Sequence, residues 1–327
     1  MIYIGNVVIS DFPVLLAPME DISDPSFRKI CKQMGADVVY TEFISSEGLT
    51  RRVAKSYKKL GFEEKERPVG IQIFGSNEES LIIAARIAEE AKADIIDINW
   101  GCPVKKIASK GGGAGILDDI PKMIKLTKAV VDAVKTPVTV KTRIGINSKN
   151  IVISEIAKQL QDIGIKALTV HGRSREQMYK GKADWDVIGS IKYKANLQIP
   201  LFGNGDIVDA LQAKTIKEKY NVDGIMIGRG AIGNPWLFRE IKALLNENNM
   251  IAKPTLFERI EVCRRHLHEA IAWKGEYRAI HEMRVHYSNY FKGIPNFKQY
   301  RIKLITAKTK IEVESVLNEI SHLFSIC

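Results

Sequence analysis

A (β/α)8 barrel followed by a smaller all-helical domain is the fold that this 327-residue chain predicts, on three observations. Eight short apolar, β-branched runs recur along roughly the first 230 residues, and segments of helical period separate most of them. Near-continuous hydrophobicity within the runs implies burial on both faces, as in a parallel sheet. From about Asn234 the strand signal stops while helical periodicity continues. Eight βα units in about 230 residues suit a closed barrel better than an open doubly wound sheet, whose strand count is usually lower.

The predicted strands are 14–19 (VLLAPM), 38–43 (VVYTEF), 69–75 (VGIQIFG), 95–101 (IIDINWG), 138–145 (VTVKTRIG), 167–173 (ALTVHGR), 201–207 (LFGNGDI) and 224–230 (GIMIGRG). Segments 77–93 and 119–135 have the apolar spacing of helices between them, and 256–275 and 309–324 have it in the tail. The expected division is a barrel over 1–240 and a helical domain over 241–327. Polar residues fall at the strand ends: Glu42, Gln72, Asn99, Lys141, His171, Asn204 and Arg229. In a barrel those ends line one mouth, where active sites form.

Composition narrows the class of function. No run of 18 apolar residues is free of charge, which excludes a membrane span, and the N-terminus lacks the basic region of a signal peptide, so a cytoplasmic protein is expected; a monomer is expected too, though no feature of the sequence fixes the oligomeric state. The 49 basic against 38 acidic residues favour a polyanionic partner, with a merely solvated basic surface as the alternative. Much of the excess lies in 251–310, which holds 13 Lys/Arg against 5 Glu. Four cysteines without C-x-x-C spacing argue against disulfides or structural zinc, and Cys31, Cys263 and Cys327 read as small buried hydrophobes. In HEMRVH, His281 and His286 stand five apart, about 140° on a helix, so they cannot share one ion and no metal is expected.

The glycines Gly228, Gly230 and Gly233 have G-x-G-x-x-G spacing, yet they follow the last strand instead of opening a βαβ unit. At that place in a barrel they predict a phosphate cup, to which Arg229 adds donors, or simply the turn into the helical domain. Asn204, Gly205 and Asp206 close the neighbouring strand. Lys141, inside a strand, must be paired or met by an anion, while His171 and Gln72 are each either site residues or satisfied core residues. Cys102 stands apart from the other cysteines because Gly101 and Pro103 force a tight turn at the mouth. Lys105 and Lys106 downstream suggest a titrating thiol, suited to proton donation or to nucleophilic attack. The glycine-rich run 110–115 reads as a flexible lid or a close-packed turn.

Seven motifs in order, APM at 17–19, QIFG at 72–75, INWGCPVKK at 98–106, VKTRIG at 140–145, VHGRSREQMYKG at 170–181, NGDI at 204–207 and MIGRGAIGNPWLF at 226–238, closely resemble the bacterial tRNA-dihydrouridine synthases, nearest to the B-type branch. The resemblance spans about residues 14–240. It implies an FMN-binding barrel with a helical tRNA-binding domain that uses NADPH to reduce a uridine to 5,6-dihydrouridine, hydride passing from reduced FMN to C6 and a proton from Cys102 to C5. Ala17, Pro18 and Met19 are expected to pack on the flavin, Gln72 and Lys141 to contact its rings, and His171 to lie near ring or phosphate. Asn204, Gly205, Asp206, Gly228 and Arg229 are expected at the ribityl phosphate. Asn99, Arg173, Arg264 and Arg265 are the expected contacts to the RNA. Glu20 and Asp21 stand where small residues are common, and Trp100 where methionine is typical, so Trp100 either reshapes the pocket or packs away from it. The alternatives are a dihydroorotate dehydrogenase-like FMN barrel acting on a free pyrimidine, and a tRNA-binding protein without catalysis.

Overall fold

The computed structural model describes residues 1–324, and the expectation for Cys327 lies outside them. Eight parallel strands form the barrel: β1 (Val14–Leu16), β2 (Val39–Tyr40), β3 (Val69–Phe74), β4 (Ile95–Trp100), β5 (Val138–Arg143), β6 (Ala167–His171), β7 (Leu201–Asn204) and β8 (Gly224–Ile227). Hydrogen bonding follows the order 1-8-7-6-5-4-3-2, and a bridge between Leu15 and Val38 closes the ring. The strands are buried over almost their whole length, as their β-branched runs require when helices cover one face and the barrel core the other.

Helices α1 (Pro25–Gln33), α2 (Glu78–Glu90), α3 (Ile120–Ala133), α4 (Ile153–Asp162), α5 (Trp185–Ala195) and α6 (Ala210–Lys219) return the chain to successive strands. Side chains cap several of them where the sequence offers an acceptor: Asn77 receives the Ser80 amide at 2.9 Å and Asp119 the Lys122 amide at 3.1 Å. After β2, two short helical turns, Ser46–Thr50 and Ala54–Lys58, stand in place of a full helix.

Two hairpins escaped the sequence reading. Ile2–Ile4 pairs with Val7–Ile9 through a Gly5-Asn6 turn, and its buried Ile4 and Ile9 pack with Ile95, Ala167 and Phe202 at the foot of the barrel. A second small ribbon, Gly145–Asn147 with Asn150–Ile151, extends the loop after β5.

Helix α7 (Trp236–Glu247) runs straight through the expected division at residue 240. Its Leu237, Phe238 and Ile241 belong to the barrel core, whereas Trp236 belongs to the helical core, because successive faces of one helix serve both. Beyond it come α8 (Leu256–Lys274), α9 (Glu276–Tyr290), α10 (Lys298–Thr306) and α11 (Lys310–Phe324), packed around Cys263, Leu267, Met283, Tyr287 and Leu317. The α8–α9 hairpin rests on α1. Phe27 stacks on His266 at 5.4 Å and meets His286 at 4.9 Å, Lys29 pairs with Glu269 at 2.8 Å, and Lys274 is paired with Asp24. No helix among the described residues is long and apolar enough to cross a membrane.

Candidate active site

A cavity of about 650 Å³ opens at the C-terminal ends of the strands and continues onto the helical domain. That volume lies within the range of small-molecule sites. Ala17, Pro18 and Met19 after β1, Gln72 of β3, Asn99 and Cys102 from β4, Lys141 of β5, His171 of β6, and Asn204, Gly205, Asp206, Gly228 and Arg229 from β7 and β8 all line it. Residues distant in sequence converge here because each lies at or just beyond the same end of its strand.

At the base of the mouth a polar chain crosses three neighbouring strands. Buried Asp97 accepts from Thr139 Oγ1 and Gln72 Nε2, both at 2.6 Å. Gln72 Oε1 in turn accepts from Asn99 Nδ2 at 2.9 Å, and Asn99 Oδ1 accepts the amides of Gly101 and Cys102, also at 2.9 Å. The carboxylate at one end thus sets the orientation of both amides, and the last amide clamps the turn that carries the thiol. Burial pushes Asp97 up to about 6, against the hydrogen bonds from Thr139 and Gln72. The Asn99 oxygen thus takes two amides and its nitrogen gives one hydrogen bond to Gln72, while the side chain still lines the cavity.

Cys102 is buried, and burial raises its thiol above the ordinary value. The expected influence of Lys105 and Lys106 is not seen, for both are exposed on the following turn; the cations that act on the thiol are Arg143 and Lys141, and desolvation outweighs them. A protonated thiol is therefore the resting form. The glycine run is a close-packed turn: Ala114 donates to the Cys102 carbonyl at 2.9 Å, and Gly113, at φ 50°, has room for no Cβ because one would lie 2.7 Å from that oxygen. Trp100 points away from the cavity, its indole N–H on Thr127 Oγ1 at 2.9 Å.

Positive charge crowds the opposite rim. Lys141 donates to Asn204 Oδ1 at 3.2 Å, and burial together with Arg143 holds it down to about 8. His171 is kept neutral by burial and by Lys141, Arg143, Arg173 and Arg229; its Nε2 accepts from Arg173 at 3.3 Å, which leaves the proton on Nδ1. Arg173 does not line the cavity. Only 2% exposed, it is bound to Asp206 at 2.7 Å and to the carbonyls of Lys180 and Gly181, which places it behind the cavity wall. Asp206 also accepts the Ala183 amide and pairs with Arg229 at 3.2 Å. Its carboxylate aims Arg229 at the mouth.

Several site residues were missed by the sequence reading. Arg143 donates from Nε to the Gly101 carbonyl at 2.7 Å and from a terminal nitrogen to Ser174 and Met178, lacing the β4 loop to the β6 loop. Tyr179 lies between Arg143 and Arg229, 5.7 and 5.4 Å from its ring. Arg143 stands two residues beyond Lys141 and so shares its face of β5, a period-2 signal present in VKTR. From the helical side Lys253, Arg259 and Lys292 also line the cavity.

Of the expected RNA contacts in the tail, Arg264 is committed to Glu314 and to Asn318 at 3.1 Å, which ties α8 to α11. Arg265 is exposed. His281 is exposed and His286 buried. Glu20, Asp21 and Glu42 gather their carboxylates near the rim, where Lys59 pairs with Glu20 and Glu42, and Arg278 with Asp21.

The family model described as dihydrouridine synthase matches residues 15–325. The chain is 38% identical over 290 residues to tRNA-dihydrouridine synthase B of Pasteurella multocida, covering 88% of this chain and 86% of that one. It is 35% identical over 302 residues to a probable tRNA-dihydrouridine synthase of Rickettsia conorii, covering 92% and 90%. Among solved structures, 2-naphthoyl-CoA reductase aligns with a TM-score of 0.59 at 12% identity, over 73% of this chain and 51% of that chain. Histamine dehydrogenase from Rhizobium sp. 4-9 aligns with a TM-score of 0.55 at 14% identity, over 82% and 50%. The chain spans about half the length of these two, and likeness at such identity concerns the barrel fold alone. With the family model spanning nearly the whole chain and relatives more than a third identical over most of their own length, the chain belongs to the dihydrouridine synthase family of enzymes.

Proposed function

We propose that this enzyme reduces a uridine of tRNA to 5,6-dihydrouridine, with FMN held in the barrel mouth and NADPH as reductant. The observation that carries the reading is a buried, protonated thiol clamped at the rim of a cavity whose other side is a cationic, glycine-lined cup. The residues present fit FMN. A Cβ at Gly228 would stand 3.7 Å from both Ala17 Cβ and Met19 Sδ, on the cavity wall that the bare glycine leaves open. The 3-10 turn Arg229–Ala231 that follows has no side-chain cap at its amino end, which suits a phosphate, as does the crowd of cations beside it. In this reading Ala17, Pro18 and Met19 pack on the flavin, Gln72 and Lys141 contact its rings, and His171 lies near them. Asn204, Gly205, Gly228 and Arg229 hold the phosphate, with Asp206 steering Arg229. Bound there, FMN would supply the two-electron chemistry that links NADPH to uridine C6.

The protein's own contribution centres on one proton. Burial keeps it on Cys102 Sγ at neutral pH, and its transfer to C5 completes the saturation of the ring; the thiolate left behind recovers a proton from solvent. Asn99 holds the turn in place, while neutral His171 accepts from Arg173 and cannot compete as the acid. The target base must leave its stack to reach the mouth, at a cost of a few kcal/mol. Phosphate contacts to cations on the helical side offset this, with a strength that falls as salt rises. A cavity that continues onto a second domain exceeds what a free pyrimidine needs, which disfavours the dihydroorotate-type reading.

The test is to incubate the purified protein with FMN, NADPH and unmodified tRNA, with dihydroorotate in a parallel reaction. Dihydrouridine should appear in the tRNA and dihydroorotate should not be consumed. Cys102→Ala should retain flavin absorbance yet lose most product; undiminished turnover would remove Cys102 as proton donor. A wild-type protein that binds no flavin and forms no dihydrouridine overturns the proposal.

A further inference from the structure

This inference rests on the reading that the substrate is an RNA: Arg264 is spent on Glu314 and Asn318, and besides the cations of the helical side the barrel rim offers a second group. The segment from Gly48 to Phe62 carries five cations and no carboxylate. It follows the short strand Ile44–Ser45, so it lies on the same face of the barrel as the cavity. Arg51, Arg52, Lys55 and Lys58 are exposed there. Among the described residues Arg51 has only a solvent-exposed pair with Glu47 at 3.3 Å, and Arg52, Lys55 and Lys58 have no carboxylate partner.

Three contacts place this loop beside both the mouth and the helical domain. Lys59 pairs with Glu20 and lies 5.9 Å from the ring of Phe43, a residue of the cavity wall. Lys58 stands 5.1 Å from the ring of Trp273 at the end of α8. Arg278, in the first turn of α9, reaches Asp21 at 2.8 Å, two residues from Met19 in the cavity wall. Next to Arg278, Tyr277 is 78% exposed, with the His281 ring 4.4 Å away. An aromatic ring so exposed gains nothing from the core of its own domain; of the acids near it, Asp21 and Glu282 are paired with Arg278, while Arg52, Lys55 and Lys58 carry no carboxylate partner among the described residues and raise the positive potential of the loop. Cations that track a phosphate backbone beside an aromatic face that accepts a base are the paired features of single-stranded RNA sites.

We propose that the β2 loop and the start of α9 form an RNA-docking surface continuous with the active-site mouth. Arg51, Arg52, Lys55 and Lys58 neutralise phosphates of the tRNA, and Tyr277 stacks an unpaired base next to the one that enters the barrel. The partner is the tRNA itself, held on the β1–β2 side of the rim.

The experiment uses the full chain and one unmodified tRNA transcript, with dissociation constants measured by fluorescence anisotropy at several salt concentrations. Arg51→Gln/Arg52→Gln/Lys55→Gln should weaken binding by at least about tenfold near 0.1 M salt and reduce the slope of log affinity against log salt by about 2–3. Tyr277→Ala should weaken it about fivefold or more with an unchanged slope, and Tyr277→Trp should restore it. Flavin reduction by NADPH without RNA should match wild type in every variant and so reports an intact fold. Wild-type affinity and slope in the triple variant overturn the surface while leaving the reading of the substrate in place. A wild-type protein that binds anionic vesicles but no tRNA overturns both.

Discussion

Removal of the Asn99 side chain tests the most consequential arrangement in the site. Asn99→Ala deletes one donor and one shared acceptor, leaving the amides of Gly101 and Cys102 and the oxygen of Gln72 without their partners at 2.9 Å. Unsatisfied buried groups cost about 1–3 kcal/mol each, but Asn99 faces the cavity, and water entering its place brings the total to about 2–4 kcal/mol. The loss is read as a shift in the urea midpoint, and the freed turn as faster alkylation of Cys102, measured with Cys327 replaced by serine. Asn99→Asp sharpens the test. It keeps an acceptor for the two amides but faces Gln72 with a carboxylate, so the Gln72 amide must flip and turn its oxygen toward Asp97. That conflict ends when Asp97 takes a proton and donates to the flipped oxygen. Because Asp97 already sits near 6, the aspartate variant should regain stability relative to wild type as pH falls from about 7 toward 5. An alanine variant within about 0.5 kcal/mol of wild type, with an unchanged alkylation rate, would refute the clamp.

Three further outcomes are expected. Arg173→Met should cost about 2–3 kcal/mol, the low side for a broken buried pair because Asp206 is about a third exposed, and should weaken FMN binding although Arg173 does not touch the cavity; unchanged FMN affinity in a titration would sever that link. Gly113→Ala should destabilise the Cys102 turn by about 1–3 kcal/mol through positive φ and contact with the Cys102 carbonyl, measured by thermal melting. Acid should weaken the seam between the domains. His266 is neutral when folded, held down to about 4 by burial, so the unfolded chain binds the extra proton first. Its contribution is full above about pH 6.5 and is lost as pH falls toward 4, on the order of 3 kcal/mol; a His266→Gln variant should flatten the stability profile in that window.

The barrel strands were legible because a strand covered on both faces must be apolar throughout, and the polar tips stand out against such runs. The N-terminal hairpin had its own signal, a Gly-Asn pair between two apolar triplets, but two three-residue strands fall below what periodicity can register. The relay through Asp97 was hidden for a different reason. Gln72 stands opposite Asp97, and Asp97 opposite Thr139, only once β3, β4 and β5 are paired in register, and no local pattern states that register. Likewise the charge of Arg264 looks free in the sequence, because Glu314 lies fifty residues further along and on another helix.

Helix α9 reaches the turn after β8 directly. His286 Nδ1 accepts the Gly233 amide at 3.1 Å, and Asn289 donates to the Ile232 carbonyl at 2.8 Å. Its opposite end carries Tyr277 and Arg278. One helix therefore joins the turn after β8 to the rim on the β1–β2 side of the mouth. Whatever coupling this helix carries between its two ends is reciprocal by linkage. On this geometry a single element touches both the turn that closes the barrel and the surface outside its mouth.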